Sequence, residues 1–100
     1  MPKPVKIIFV GASWADFNKE LKSISQEVAK SKGLEFEEKQ EDYVFLTKYG
    51  EKDEFGGADI PQVFVVYDNG KIKHVLTKVP IVGTKPDFEA ARRKIEEALS

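Results

Sequence analysis

The chain has no cysteine and a single histidine in its 100 residues. Without a thiol there is no disulfide, no thiolate metal ligand and no sulfur nucleophile. A structural zinc site draws on Cys and His, so it lacks its ligands here as well. Long apolar runs are also missing: none approaches the ~20 residues that a membrane-spanning helix needs. The opening Met-Pro-Lys-Pro leads into Val5 to Val10, a stretch too short for the apolar core of a signal peptide. A soluble, cytoplasmic protein with no membrane partner is the expectation. The net charge of −1 gives no general attraction to polyanions. Nucleic-acid binding would need a cationic surface interleaved with aromatics, and the sequence has none. Phosphate loops, nucleotide fingerprints and hydrolase nucleophile turns are absent too.

What is present describes a folded domain. Hydrophobic residues make up 41% of the chain and charged residues 33%, the latter well above the ordinary quarter. The length suits one domain, residues 1–100, with a single core. Charge is unevenly spread. Residues 35–42, EFEEKQED, hold five acids against one Lys, and residues 71–94 hold seven Lys or Arg against Asp87 and Glu89. Such patches read either as solvated surface or as steering for a partner.

The apolar pattern gives the order of elements. Val5 to Val10, VKIIFV, is nearly continuous, as in a strand covered on both faces. Gly11 and Ala12 end it, and Ser13 is placed to cap a helix, with Asp16 three residues on as a capping acid. Phe17, Leu21, Ile24 and Val28 then form one helical stripe, which Gly33 stops. Leu34 to Gln40 alternates as a strand with one wet side, a short helix spans about Asp42 to Tyr49 and Gly50 closes it. Residues 50–59, GEKDEFGGAD, read as a loop. Val63 to Tyr67 is the second continuous strand, Asp68-Asn69-Gly70 predicts a type I′ hairpin, and Lys71 to Thr77 returns. Thr84 or a neighbour should cap a last helix bearing Phe88, Ala91, Ile95 and Leu99, with Pro86 in its first turn. The order is β-α-β-α-β-β-α. Apolar strands belong in the middle and alternating ones at the edges. An α/β fold with a four-stranded mixed sheet, order 2-1-3-4, and helices on both faces satisfies this pattern.

With these elements placed, the chain resembles the thioredoxin-like proteins along essentially its whole length. In that family the first central strand ends in a Trp-Cys-Gly-Pro-Cys-Lys turn that opens the long helix. Here Trp14 to Lys19, WADFNK, falls in that place and register. The family's cis proline precedes its third strand; Asp59 to Val75, DIPQVFVVYDNGKIKHV, is similar throughout. The Gly83 to Thr84 junction before the last helix is similar as well. On this register Ala15 and Asn18 stand at the two cysteine positions and Asp16-Phe17 replace Gly-Pro. Phe9 stands where the family buries a proton-shuttling Asp. A glutaredoxin-like register, shifted by one, puts Trp14 and Phe17 at the cysteine positions instead. Either way the chemistry is gone, and no redox activity, catalytic residue, cofactor or metal is expected.

The resemblance implies that Ile60-Pro61 is cis and that the backbone before it is free to pair with an extended peptide or glutathione. The expectation is a redox-inactive binding or protein-interaction module. Its candidate groove comprises Ser13, Trp14, Ala15, Asp16, Phe17, Asn18, Ile60 and Pro61. A protein or peptide is the expected partner, with glutathione second. Two alternatives stand beside it. One is a glutathione-transferase-like enzyme whose Ser13 hydrogen-bonds the bound thiol, against the plainer role of Ser13 as a helix cap. The other is a relative of thiol-disulfide oxidoreductases with its cysteines replaced at 15 and 18. Trp14 reads either as an exposed binding residue or as a lid on the core. His74 reads as a surface residue of the outer strand, and Arg92-Arg93-Lys94 as a solvated run. Glu37, Glu38, Glu41 and Asp42 offer carboxylates for acid–base or metal chemistry, or serve to protect an edge strand.

Overall fold

Two strands almost free of polar side chains fill the middle of the sheet and organise everything around it. The computed structural model describes residues 1–52, 54, 55 and 57–100. The elements are β1 (Pro4–Gly11), α1 (Asn18–Ser31), β2 (Glu35–Gln40), α2 (Tyr43–Tyr49), β3 (Gln62–Tyr67), β4 (Ile72–Thr77), β5 (Ile81–Val82), β6 (Lys85–Pro86) and α3 (Phe88–Ala98). The four longer strands form one mixed sheet, ordered β2-β1-β3-β4. β1 is parallel to β2 and antiparallel to β3, and β3 is antiparallel to β4. This is the expected α/β order, with the small β5–β6 pair as an addition that the sequence reading did not contain.

Strand alternation divides the core into two layers. Ile7 and Phe9 of β1 and Val63 of β3 meet Leu21, Ile24 and Val28 of α1 and Ala91 and Ile95 of α3. On the other face Ile8, Val10 and Phe64 meet Leu46 of α2 and Ile60. Phe9 is fully buried, and truncating such a ring to alanine costs about 3–5 kcal/mol. Gly33, at φ 71°, ends α1. Its N–H donates to the Lys30 carbonyl (3.2 Å), and that of Leu34 donates to the Ala29 carbonyl (2.8 Å). These two bonds satisfy helix-end carbonyls that would otherwise be left over.

Four local expectations are corrected. Ser13 does not cap α1. The helix begins at Asn18, its cap residue is Phe17, and no side chain caps it. Residues 12–18 instead make two turns, Ala15 N–H to Ala12 O (3.0 Å) and Asn18 N–H to Ala15 O (3.3 Å). Phe17 then takes a left-handed φ of 59°, and its ring stacks edge-on against Phe88 at 5.8 Å. The last helix is capped by Asp87, whose carboxylate accepts the Ala90 N–H, and not by Thr84. Pro86 lies outside that helix because β6 uses it. The 67–71 hairpin is not type I′: Asp68 and Asn69 keep negative φ, and Gly70 alone is left-handed at 86°. With Gly70 N–H on the Tyr67 carbonyl, the loop has three residues, a type I turn followed by a left-handed glycine. Of the loop at residues 50–59, Asp53 and Gly56 lie outside the described residues, and a bridge joins Lys52 to Ala58.

Candidate functional site

Register places four connections at one end of the sheet. Gly11 closes β1 beside Gln40, the last residue of β2; Gln62, which opens β3, sits between Val10 and Thr77, the last residue of β4. The segments after β1, after β2, before β3 and after β4 therefore emerge together. Between three of them lies a cavity of about 390 Å³. Trp14 to Phe17 form one wall and Ala58 to Ile60 a second, while Lys78, Val79 and Ile81 supply the third.

Five of the eight candidate residues line this cavity: Trp14, Ala15, Asp16, Phe17 and Ile60. The other three do not. Ser13 is exposed outside it. Asn18 is half-buried and turned back on its own loop, where Oδ1 accepts the Ala12 N–H at 3.0 Å. That oxygen and the Phe9 ring fill the space where a Cβ on Gly11 would project, so the loop closes only over a glycine. Pro61 is fully buried behind the wall, its carbonyl accepting the Lys78 N–H at 2.8 Å. The Ile60–Pro61 bond is cis. Among the described residues no hydrogen bond reaches the N–H or C=O of Ile60.

Trp14 is 62% exposed, and its indole N–H donates to Glu41 Oε1 at 3.0 Å. The indole is therefore no lid on the core. Sequence reading missed Ala58, Asp59, Lys78, Val79 and Ile81; only folding brings these residues across from Trp14. It also missed Gln62, the fully buried polar residue beneath the loop. The Gln62 amide accepts the Glu51 N–H at 3.0 Å and donates to the carbonyls of Glu51 (3.0 Å) and Asp59 (2.9 Å). The base of the 51–59 segment is thus tied to β3 by one side chain.

Backbone strain gathers at the same place. Among the described residues the non-glycine residues with positive φ are Phe17 (59°), Glu41 (46°) and Lys78 (60°). Phe17 and Lys78 line the cavity, and Glu41 holds the indole at its mouth. Left-handed conformations cost a residue with a Cβ roughly 1–2 kcal/mol.

The remaining candidates are spent on structure. Glu37 bridges Lys6 and Lys39, which holds its carboxyl below the usual range, the hydrogen bond from Lys6 contributing most. Glu38 pairs with Lys22, and Asp42 caps α2 by accepting the Phe45 N–H. Among the described residues no group of three or more His, Asp or Glu converges as a metal site would require. His74 is half-buried rather than on the surface; its ring meets Phe64 edge-on at 5.6 Å, and Nε2 lies 2.7 Å from Thr77 Oγ1. Burial lowers its pKa below the ordinary 6.5. Arg92 is not simply solvated, because it ties α3 to Glu27 of α1 at 2.6 Å. The cavity lining holds no hydroxyl, thiol or imidazole. Its titratable side chains among the described residues are Asp16, Asp59 and Lys78, and Lys78 lies 3.6 Å from Asp59.

No family model matches the chain, and no curated protein matches it either.

Proposed function

We propose that this chain is a thioredoxin-like domain without thiol–disulfide activity that binds a protein or peptide segment between Trp14–Phe17 and Ile60. The observation that carries this reading is the exposed indole beside a preformed cavity. Large amphipathic rings are enriched at binding hot spots, and small concave sites with few polar groups suit ligands. The backbone of Ile60, which has no hydrogen-bond partner among the described residues, would give one donor and one acceptor to an extended chain, a short case of strand addition. Hydrophobic contact with Trp14 and Phe17 would supply affinity and Ile60 would set direction. Binding is non-covalent throughout. A cytoplasmic setting belongs to the same proposal; among the described residues no helix is long and apolar enough to cross a membrane.

Amide chemical-shift mapping with a pool of blocked pentapeptides tests the reading. Shifts at Ala15, Phe17 and Ile60 are expected. Unmoved amides there, with a response on another surface, overturn it. The purified chain is also expected to leave insulin disulfides intact, and reduction above the buffer rate would refute the redox-inactive assignment.

A further inference from the structure

The charges around the cavity specify what kind of segment fits. Apolar side chains form its interior: Phe17, Ile60, Val79 and Ile81 with the small Ala15 and Ala58. Its polar lining is Asp16, Asp59 and Lys78, and Glu41 lies against the indole that forms the mouth. Among the described residues this makes three carboxylates, Glu41 included, against one ammonium group. Lys78 is already opposite Asp59 at 3.6 Å. Asp16 is exposed and has no hydrogen-bond or ion-pair partner among the described residues. The exposed indole face is itself an attractive surface for a cation.

We infer that the groove selects an extended protein segment carrying one medium or large apolar side chain flanked by Lys or Arg. This rests on the binding reading above and adds the chemistry of the partner. Side chains two apart on a strand share a face, so a residue seated in the cavity lays the residues two positions to either side along the rim, where the carboxylates and Trp14 stand. Cavity volume supports a single anchor: about 390 Å³ is near the lower end of ligand-sized pockets. Glutathione fits this rim poorly, because it brings two carboxylates against one ammonium to a site already rich in carboxylates. Complementary charge acts mainly on partner choice and encounter rate, and it weakens with salt.

Three blocked peptides distinguish the possibilities by amide shifts on the full chain: Lys-Val-Leu-Val-Lys, its twin Glu-Val-Leu-Val-Glu, and Lys-Ser-Gly-Ser-Lys. The basic apolar peptide should bind about tenfold more tightly than its acidic twin in low salt, the size expected when two solvent-exposed charge contacts are favourable in one peptide and reversed in the other. That preference should shrink as salt rises. It should fall to about twofold or less in the double variant Asp16→Asn, Asp59→Asn, with Asp16→Asn alone, a change to an exposed side chain, giving part of the loss. Equal binding of the two apolar peptides at the groove would overturn the charge selection and leave the binding site standing. Equal binding of Lys-Ser-Gly-Ser-Lys would overturn the anchor, and tighter binding of glutathione than of the basic peptide would overturn the partner class. If no peptide moves the amides of Ala15, Phe17 or Ile60, the binding reading itself falls.

Discussion

Replacing Gln62 with leucine removes one side chain and three hydrogen bonds at once. The amide is fully buried, and its partners are the Glu51 N–H, the Glu51 carbonyl and the Asp59 carbonyl at 2.9–3.0 Å. A net contribution of about 1 kcal/mol per bond gives ~3 kcal/mol for the three. Leucine has nearly the same volume and recovers part of this by apolar burial. Backbone groups left unpaired beneath it add a penalty unless the loop lifts out to water. The expected loss is therefore about 2–4 kcal/mol, which at 4–8 °C per kcal/mol lowers the melting temperature by roughly 8–30 °C. Urea unfolding followed by circular dichroism measures the loss, and amide exchange at residues 51–60 locates it. Gln62→Glu is the control. It keeps the acceptor for the Glu51 N–H but loses both donors and buries a charge, so at neutral pH it should destabilise more than leucine does and recover in mild acid as the carboxyl protonates. A loss below about 1 kcal/mol for the leucine variant, or exchange at 51–60 unchanged, would refute the idea that one amide holds the loop.

Gly11→Ala should destabilise by about 1–3 kcal/mol, because the new methyl meets the Phe9 ring and the Asn18 amide that holds the Ala12 N–H; thermal melts read this, and a neutral result would mean the 12–18 loop shifts freely. Lys78→Gly should stabilise by about 0.5–1 kcal/mol, since glycine relieves the left-handed φ of 60° while the half-exposed pair with Asp59 contributes little. The same variant should bind a Lys-containing peptide no more weakly than the parent chain does. His74 predicts a pH dependence. Its folded pKa lies below the ordinary 6.5 because burial disfavours the imidazolium, with Lys94 adding to the shift and Glu51 opposing it. The unfolded chain then binds the proton more readily, so this stability is complete above 6.5 and is lost as pH falls through the folded value. The urea midpoint of the wild type should fall between pH 7.5 and 5.5, and His74→Gln should flatten that slope; a midpoint that rises on acidification would refute it.

The sheet was readable because its signals are local. β1 and β3 are apolar residue after residue, and α1 carries its stripe from Leu21 to Val28. Gly33 and Gly50 mark helix ends by themselves. The start of α1 was not readable, although Ser13 and Asp16 have the spacing of a capping box. What decides it is the packing of Phe17 on Phe88, a contact between residues far apart in the chain, which draws Phe17 into a left-handed turn. Likewise, Asp87 outcompetes Thr84 because residues 81–86 are occupied in the β5–β6 pair. The candidate site was half readable for the same reason. Trp14 to Phe17 follow the end of an evident strand, and Ile60 precedes another. Lys78, Val79 and Ile81 complete the cavity from the far side of β4, and nothing in their own neighbourhood announces it.

Among the described residues the left-handed ones separate into two groups, and the division bears on the proposed function. Gly33, Gly70 and Gly83 occupy such positions with open space around them, the inexpensive choice at a turn. Phe17, Glu41 and Lys78 occupy them with side chains that would be lost on change to glycine. Each of those side chains has a partner: Phe88 for Phe17, the indole for Glu41, and Asp59 for Lys78. A sequence otherwise consistent from local preference to packing departs from that consistency at one end of one sheet, around the exposed tryptophan. Departures of that kind concentrate where a surface is shaped for something other than stability. If stability alone were at issue, glycine would serve at Glu41 and Lys78, where the side-chain contacts are exposed and weak; of the two, Glu41 adds to the negative rim on which the proposed selection of Lys or Arg rests, and Lys78 opposes it.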